Sequence, residues 1–193
     1  LCVSWLAGLF PTAARAQIAP DVRDAAVAAA VQVAIAAEWT ENGFSMPLPL
    51  PIGSGTVVAP DGVVLTNAHV IDREGTAAQV ADIEAFIRED YPDVEVVYPP
   101  ARLLVLVSDG VHPPEPTYLA EVTRADPNLD LAVLRIVARA GGSGLPSGFE
   151  VPFVPLGDSD NLGLGDPLHI FGYPASGGDA VALTPSIRAA VRA

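Results

Sequence analysis

Two short segments hold side chains able to move a proton. One is Thr66-Asn67-Ala68-His69-Val70; the other is Asp126-Pro127-Asn128-Leu129-Asp130-Leu131-Ala132-Val133-Leu134. Histidine titrates near neutrality, and as a general base it needs a carboxylate that fixes its tautomer and stabilises the imidazolium. His69 stands at the end of one apolar run and Asp130 where a loop enters another. Small neighbours, Ala68 and Ala132, let the two backbones approach. The other histidines offer less: His112 precedes Pro113-Pro114 and reads as a loop residue, and His169 falls in an apolar strand, on the core or a barrel face.

Metal and phosphate chemistry find little support. One Cys and three His rule out a four-ligand Cys/His zinc site. Asp158-Ser159-Asp160-Asn161-Leu162-Gly163 starts like a calcium loop, but Leu162 stands where an oxygen ligand belongs and His169 where the closing Glu belongs. The Gly-rich segments lack a following Lys-Ser/Thr, so no phosphate cradle is expected. No metal and no organic cofactor is implied.

The elements that must position His69 and Asp130 are short strands. Gly53-Ser54-Gly55-Thr56-Val57-Val58, the turn Pro60-Asp61-Gly62 and Val63-Val64-Leu65-Thr66 read as a hairpin. Further strands are expected at residues 31–35, 103–107, 118–124, 131–137 and 168–171, with a Pro-rich loop at 46–51 and a flexible loop at 141–148. Residues 20–30 suit a short helix. In residues 77–91 the period changes: Val80, Ile83 and Ile87 share one face, which predicts an amphipathic helix ended by Pro92 and lying over one end of a barrel. The fold class is all-β, a barrel or sandwich.

Composition agrees. The 193 residues include 17 Gly and 19 Pro, so long helices cannot dominate, and half the chain is apolar, enough for a core. The formal charge is −13, from 23 acidic residues against 10 basic ones, all arginine. Such a chain is not expected to bind nucleic acid or an anionic membrane surface. Residues 1–10 are an apolar run, followed by Pro11 and Ala14-Arg15-Ala16. Residues 1–16 therefore read as a secretory signal peptide whose basic n-region is missing, too short to span a bilayer. This predicts export, to the periplasm or the exterior. Cys2 would leave with the signal peptide, so packing and not disulfides must hold the fold.

Taken in order, Gly53-Ser54-Gly55-Thr56, Asp61-Gly62-Val63-Val64-Leu65-Thr66-Asn67-Ala68-His69-Val70, Asp130-Leu131-Ala132-Val133-Leu134, Leu156-Gly157-Asp158-Ser159, Gly165-Asp166-Pro167 and Gly172-Tyr173-Pro174 form a series. The series resembles the trypsin-like serine proteases of the bacterial HtrA/Deg type, over about residues 31–183. The resemblance implies a chymotrypsin-like double β-barrel with the active site between the barrels. It implies that His69 is the general base and Asp130 its orienting carboxylate, and that the substrates are polypeptides. On this basis residues 17–140 form the first barrel, complete, with a helical insertion at about 73–100. Residues 149–184 begin the second, and 185–193 are an aberrant or truncated tail.

The family's nucleophile lies in a Gly-x-Ser-Gly-Gly stretch, which the chain lacks. Ser176, in Pro174-Ala175-Ser176-Gly177-Gly178, imitates it, but Pro174 stands where the oxyanion hole needs an N–H. Ser159 follows Asp130 too closely for a second barrel, and Asp160 puts a negative charge beside a developing oxyanion. The expectation is an exported serine endopeptidase, present as an N-terminal fragment that holds the base and the acid and is itself inactive. The alternative is a catalytically dead protease-fold protein that binds exported polypeptides. Oligomeric state is left open.

Overall fold

In the computed structural model, residues 18–72, 74, 76–98 and 103–173 are described. The expected signal segment 1–16, Ser176 and the tail 185–193 lie outside them.

The alternation at Val31, Val33 and Ile35 belongs to a strand longer than expected, β1 (Ala30–Glu41). Helix α1 (Pro20–Ala29) leads into it, with proline in its first turn and Asp21 near the positive end of the helix. β1 turns through Asn42-Gly43, both at positive φ (50° and 81°), into β2 (Phe44–Ala59). Positive φ at both central residues is what a two-residue hairpin of matching twist requires. β1 and β2 then pair antiparallel from Glu41↔Phe44 to Ala30↔Thr56.

The segment 46–51 corrects the sequence expectation: it is not a loop but part of β2. Pro47, Pro49 and Pro51 lie opposite Glu38, Ala36 and Ala34. A strand offers its N–H groups to alternate sides, so proline at every second position leaves the donors of one edge intact. Leu48 and Leu50, the intervening residues, supply the pairing and are buried in the core.

The hairpin continues through residues 60–62 into β3 (Val63–Thr66). After the short helix α2 (Ala68–Ile71) and the helix α3 (Ala77–Asp90) come β4 (Glu95–Val97), β5 (Leu103–Val107), β6 (Glu115–Asp126) and β7 (Leu131–Arg139). All pairings are antiparallel, in the order β2-β3-β7-β6-β5-β1-β4, and β1 also pairs with β2. The sheet therefore closes into a ring of β1, β2, β3, β7, β6 and β5, with β4 outside it on the second half of β1. Closure removes the free edges that an open sheet would expose. Val31, Val33, Leu48, Leu50, Val57, Val64, Val105, Leu134 and Ile136 fill the interior. Helix α3 packs against β2, buries Ile87 and is followed by Tyr91, whose ring meets Trp39 edge-on at 4.8 Å.

Beyond β7 the chain runs back along the β2–β3 hairpin, with Val151 N–H donating to the Pro60 carbonyl and Val154 N–H to that of Val57. Residues 168–171, expected as a strand, form none, because no neighbouring strand among the described residues offers them a ladder. Ile170 is 95% exposed, and His169 is exposed as well, not on a core or barrel face. Among the described residues no helix is long and apolar enough to cross a membrane.

Two glycines separate backbone strain from crowding. A Cβ on Gly62 (φ 86°) would stand 2.9 Å from Ile136 Cβ and 3.2 Å from the Phe149 ring, whereas one on Gly142 (φ 82°) would meet nothing within 4 Å. Gly142→Ala is expected to cost about 1 kcal/mol, the strain alone. Gly62→Ala is expected to cost about 2–4 kcal/mol, because overpacking is added. Denaturant midpoints of the two variants check this ordering.

Candidate active site

Strand β3 ends at Thr66, which is buried and donates its Oγ1 hydrogen to the Ser54 carbonyl at 2.7 Å. Asn67 is extended (φ −79°, ψ 149°), and the chain then coils into α2. His69 thus sits not at a strand end but inside a single helical turn just past it. That turn leaves the His69 backbone N–H without a helical partner, because the first amides of a helix have none.

Asp130 approaches from the other side. Asp126 Oδ1 accepts the N–H groups of Asn128 and Leu129, tightening the turn between β6 and β7. Asp130 itself has φ 49°, in the left-handed region that Asp tolerates better than most residues. Its carboxylate meets His69 twice. Nδ1 lies 2.8 Å from Oδ2 and 3.0 Å from Oδ1, and the His69 backbone N–H donates to Oδ1 at 2.9 Å. Asn67 Nδ2 donates to Oδ2 at 3.2 Å and to the Asp130 carbonyl at 3.1 Å.

The chemistry follows from the donor count. An ionised carboxylate only accepts, so Nδ1 must carry the proton and Nε2 keeps a lone pair. Nε2 can take a proton from a hydroxyl, and Asp130 then faces the imidazolium that forms. The Asp130 carboxyl is held below the usual carboxylate range, first by the His69 backbone N–H, then by the His69 ring, with Asn67 adding to the effect. The pair is open to solvent, with side chains 68% (His69) and 46% (Asp130) exposed. Beside it lies a cleft of about 470 Å³ lined by Ala68, His69, Ile71, Asp72, Ala125, Pro127 and Asp130.

A hydroxyl to complete the set is not in place among the described residues: no serine is hydrogen-bonded to the His69 ring. Ser159 opens a 3-10 turn (Ser159–Asn161), and Asp158, in the stretch that starts like a calcium loop, uses its carboxylate to bind Asp160 N–H and the Asn161 side chain. Sequence reasoning missed Ser54. Its hydroxyl accepts the Tyr173 N–H at 2.6 Å and donates to the Tyr173 carbonyl at 2.9 Å, fastening residues 172–173 to the strand whose partner leads to His69. The signal was there, in a serine flanked by two glycines that leave room for no Cβ: one on Gly53 would lie 2.5 Å from Val70 and one on Gly55 2.8 Å from Val64. A second histidine–carboxylate pair was also missed. His112 Nδ1 lies 2.7 Å from Asp109 Oδ2, in the loop between β5 and β6.

A depressed carboxyl gives stability that is complete above its unfolded pKa and is lost as pH falls through its folded value. The His69–Asp130 contact should therefore survive below the pH at which an ordinary aspartate protonates. The side-chain carbon signal of Asp130 followed by NMR in acid should show a midpoint below that of a surface aspartate, and the His69 amide proton should shift in the same step. Coincidence of Asp130 with an ordinary aspartate would contradict the geometry.

Comparison with known proteins comes down on one family. Residues 53–193 match the model of the trypsin-like peptidase domain. A probable periplasmic serine endoprotease DegP-like of Rickettsia prowazekii is 27% identical over 128 residues, covering 66% of this chain and 17% of the relative. The mitochondrial serine protease HTRA2 of Bos taurus is 29% identical over 167 residues, covering 85% of this chain and 27% of the relative. The chain thus spans under a third of the length of either. Among solved structures, the HtrA-type protease AlgW with decapeptide aligns at a TM-score of 0.44 and 19% identity, over 75% of this chain and 38% of that one. With most of its length, the His69 and Asp130 segments included, inside the family match, the chain belongs to the trypsin-like serine peptidases of the HtrA type.

Proposed function

We propose that this chain carries the base and the acid of an exported serine endopeptidase that cleaves polypeptides by acyl transfer. The observation that carries the proposal is the Nδ1–carboxylate contact at 2.8 Å, which leaves Nε2 free to act as a base. In this mechanism a serine hydroxyl attacks the peptide carbonyl while His69 Nε2 takes its proton. His69 then returns the proton to the leaving amine, and Asp130 holds the ring in the required tautomer through both transfers. Water repeats the cycle on the acyl-enzyme. No step calls for a metal.

Export is supported by the apolar run and small-residue motif of residues 1–16 and by the periplasmic description of the DegP-like relative. The nucleophile is proposed to come from a Gly-x-Ser-Gly-Gly segment other than the one around Ser176, since Pro174 removes an oxyanion donor. The first barrel is assigned to residues 17–140 and the start of the second to 149–184.

A fluorophosphonate probe labels only an activated serine. The full product of the gene should be labelled, and His69→Ala should abolish labelling. Asp130→Asn should lower kcat on the order of 10⁴-fold, because the wrong tautomer would be favoured. The 193-residue chain itself should remain unlabelled and should not hydrolyse casein. Turnover by that chain, lost in His69→Ala, would instead make Ser176 the nucleophile.

A further inference from the structure

The cleft beside His69 and Asp130 holds a charge that the pair does not use. Ala68 and Ile71 of α2 face Ala125 and Pro127, at the end of β6 and in the turn after it, and make apolar walls. Asp72, just past the end of α2, completes the lining. Its backbone is fixed: its N–H donates to the Ala68 carbonyl, and its own carbonyl accepts both the N–H and the hydroxyl of Thr76. Its Oδ1 accepts the Glu74 N–H at 3.1 Å. Among the described residues no cation answers the carboxylate: their ion pairs involve Asp24, Asp130, Glu84, Asp109 and Asp61 and leave Asp72 out. Arg124 precedes Ala125 on β6, but successive strand residues face opposite sides, so it does not line the cleft.

Two carboxylates therefore share one cleft. That of Asp130 is saturated by donors from His69 and Asn67; that of Asp72 finds, among the described residues, a donor for Oδ1 and none for Oδ2. Long basic side chains lay an apolar stem along apolar surface and hold the charged head at a polar rim, which is the shape of this lining. We propose that the cleft is a specificity subsite for an arginine or lysine side chain of the polypeptide substrate, near the scissile bond. The stem lies against Ala68, Ile71, Ala125 and Pro127, and the head binds Asp72 Oδ2. The inference rests on the protease assignment of the same pair and adds to it the substrate's charge. A chain of net charge −13 also draws cationic peptides toward the cleft at a distance.

The test measures binding and not turnover, so it stands apart from the fluorophosphonate result. The 193-residue chain is titrated with a fluorescent blocked peptide, acetyl-Ala-Arg-Ala-Ala-amide, and with the same peptide carrying norleucine for arginine. Anisotropy should show the arginine peptide binding about fivefold more tightly at low salt, the size expected for one partly exposed charge pair. The advantage should vanish in Asp72→Asn and shrink sharply at about 0.5 M sodium chloride, where screening is short-ranged. The amide signals of Ala68 and Ala125 should move on binding. Equal affinity for the two peptides, an arginine preference that survives Asp72→Asn, or shifts confined elsewhere would each overturn the subsite. Should Asp72→Asn fail to fold, the salt and norleucine comparisons on the unaltered chain decide. Failure of both peptides to bind would also overturn it, while labelling of a serine in the full gene product would still uphold the protease assignment.

Discussion

Asp130 accepts hydrogen bonds from a backbone amide, an imidazole and a side-chain amide, all brought from 61 to 63 residues away. Only the ionised form can accept all of them, so the donors and the charge stabilise each other. Because the His69 amide holds the same carboxylate, that carboxylate is kept within reach of Nδ1, and turning the ring would break its contacts to both oxygens. The tautomer is thus set by geometry before any substrate arrives. The cost is local: a non-glycine residue at φ 49°, where the left-handed region is worth about 1–2 kcal/mol of strain.

The barrel meets that cost by leaving the chain no alternative register. In the β3–β7 ladder Thr66 lies opposite Ala132, and Val64 opposite Leu134. The residues leaving β3 (67–69) and those entering β7 (129–131) therefore emerge from the rim together. A slip of one residue would turn either Val64 or Leu134, both fully buried, toward solvent. Core packing two residues below the rim thus fixes a contact above it. Ala132, also buried, supplies the close approach that a larger side chain would deny.

What could be read from the residues divides along physical lines. The His69 and Asp130 segments were legible because the first follows and the second begins a short apolar run next to turn residues, and such runs show in a single sequence. The β2–β3 hairpin and α3 were legible for the same reason, each having a period and a turn or breaker at its end. Asn42-Gly43 is a strong hairpin signal, yet the prolines of 46–51 masked the strand that follows it; proline's missing donor matters only on the paired edge, and which edge is paired is a tertiary fact. β4 and α2 are three and four residues long, too short for any period to show. Residues 168–171 have the composition of a strand, but a strand needs a neighbour, and composition does not state one.

The two histidine–carboxylate pairs show why geometry at one contact does not define a site. His112 gives Asp109 the same two bonds that His69 gives Asp130, one from the backbone amide and one from Nδ1. The Asp109 carboxyl is depressed, led by the His112 backbone amide, and His112 is raised by its side-chain bond to Asp109. The two carboxyls are thus lowered by the same kinds of donor. The His112 pair, however, spans three residues of one exposed loop, so it forms wherever that loop forms and constrains nothing else. The His69 pair spans 61 residues, requires a closed barrel in one register, and opens on a cleft with apolar walls. Catalysis needs a base whose position is fixed relative to a substrate and not only relative to its own carboxylate. By that measure the long-range pair is the one proposed as the site, and the local pair locks its own loop.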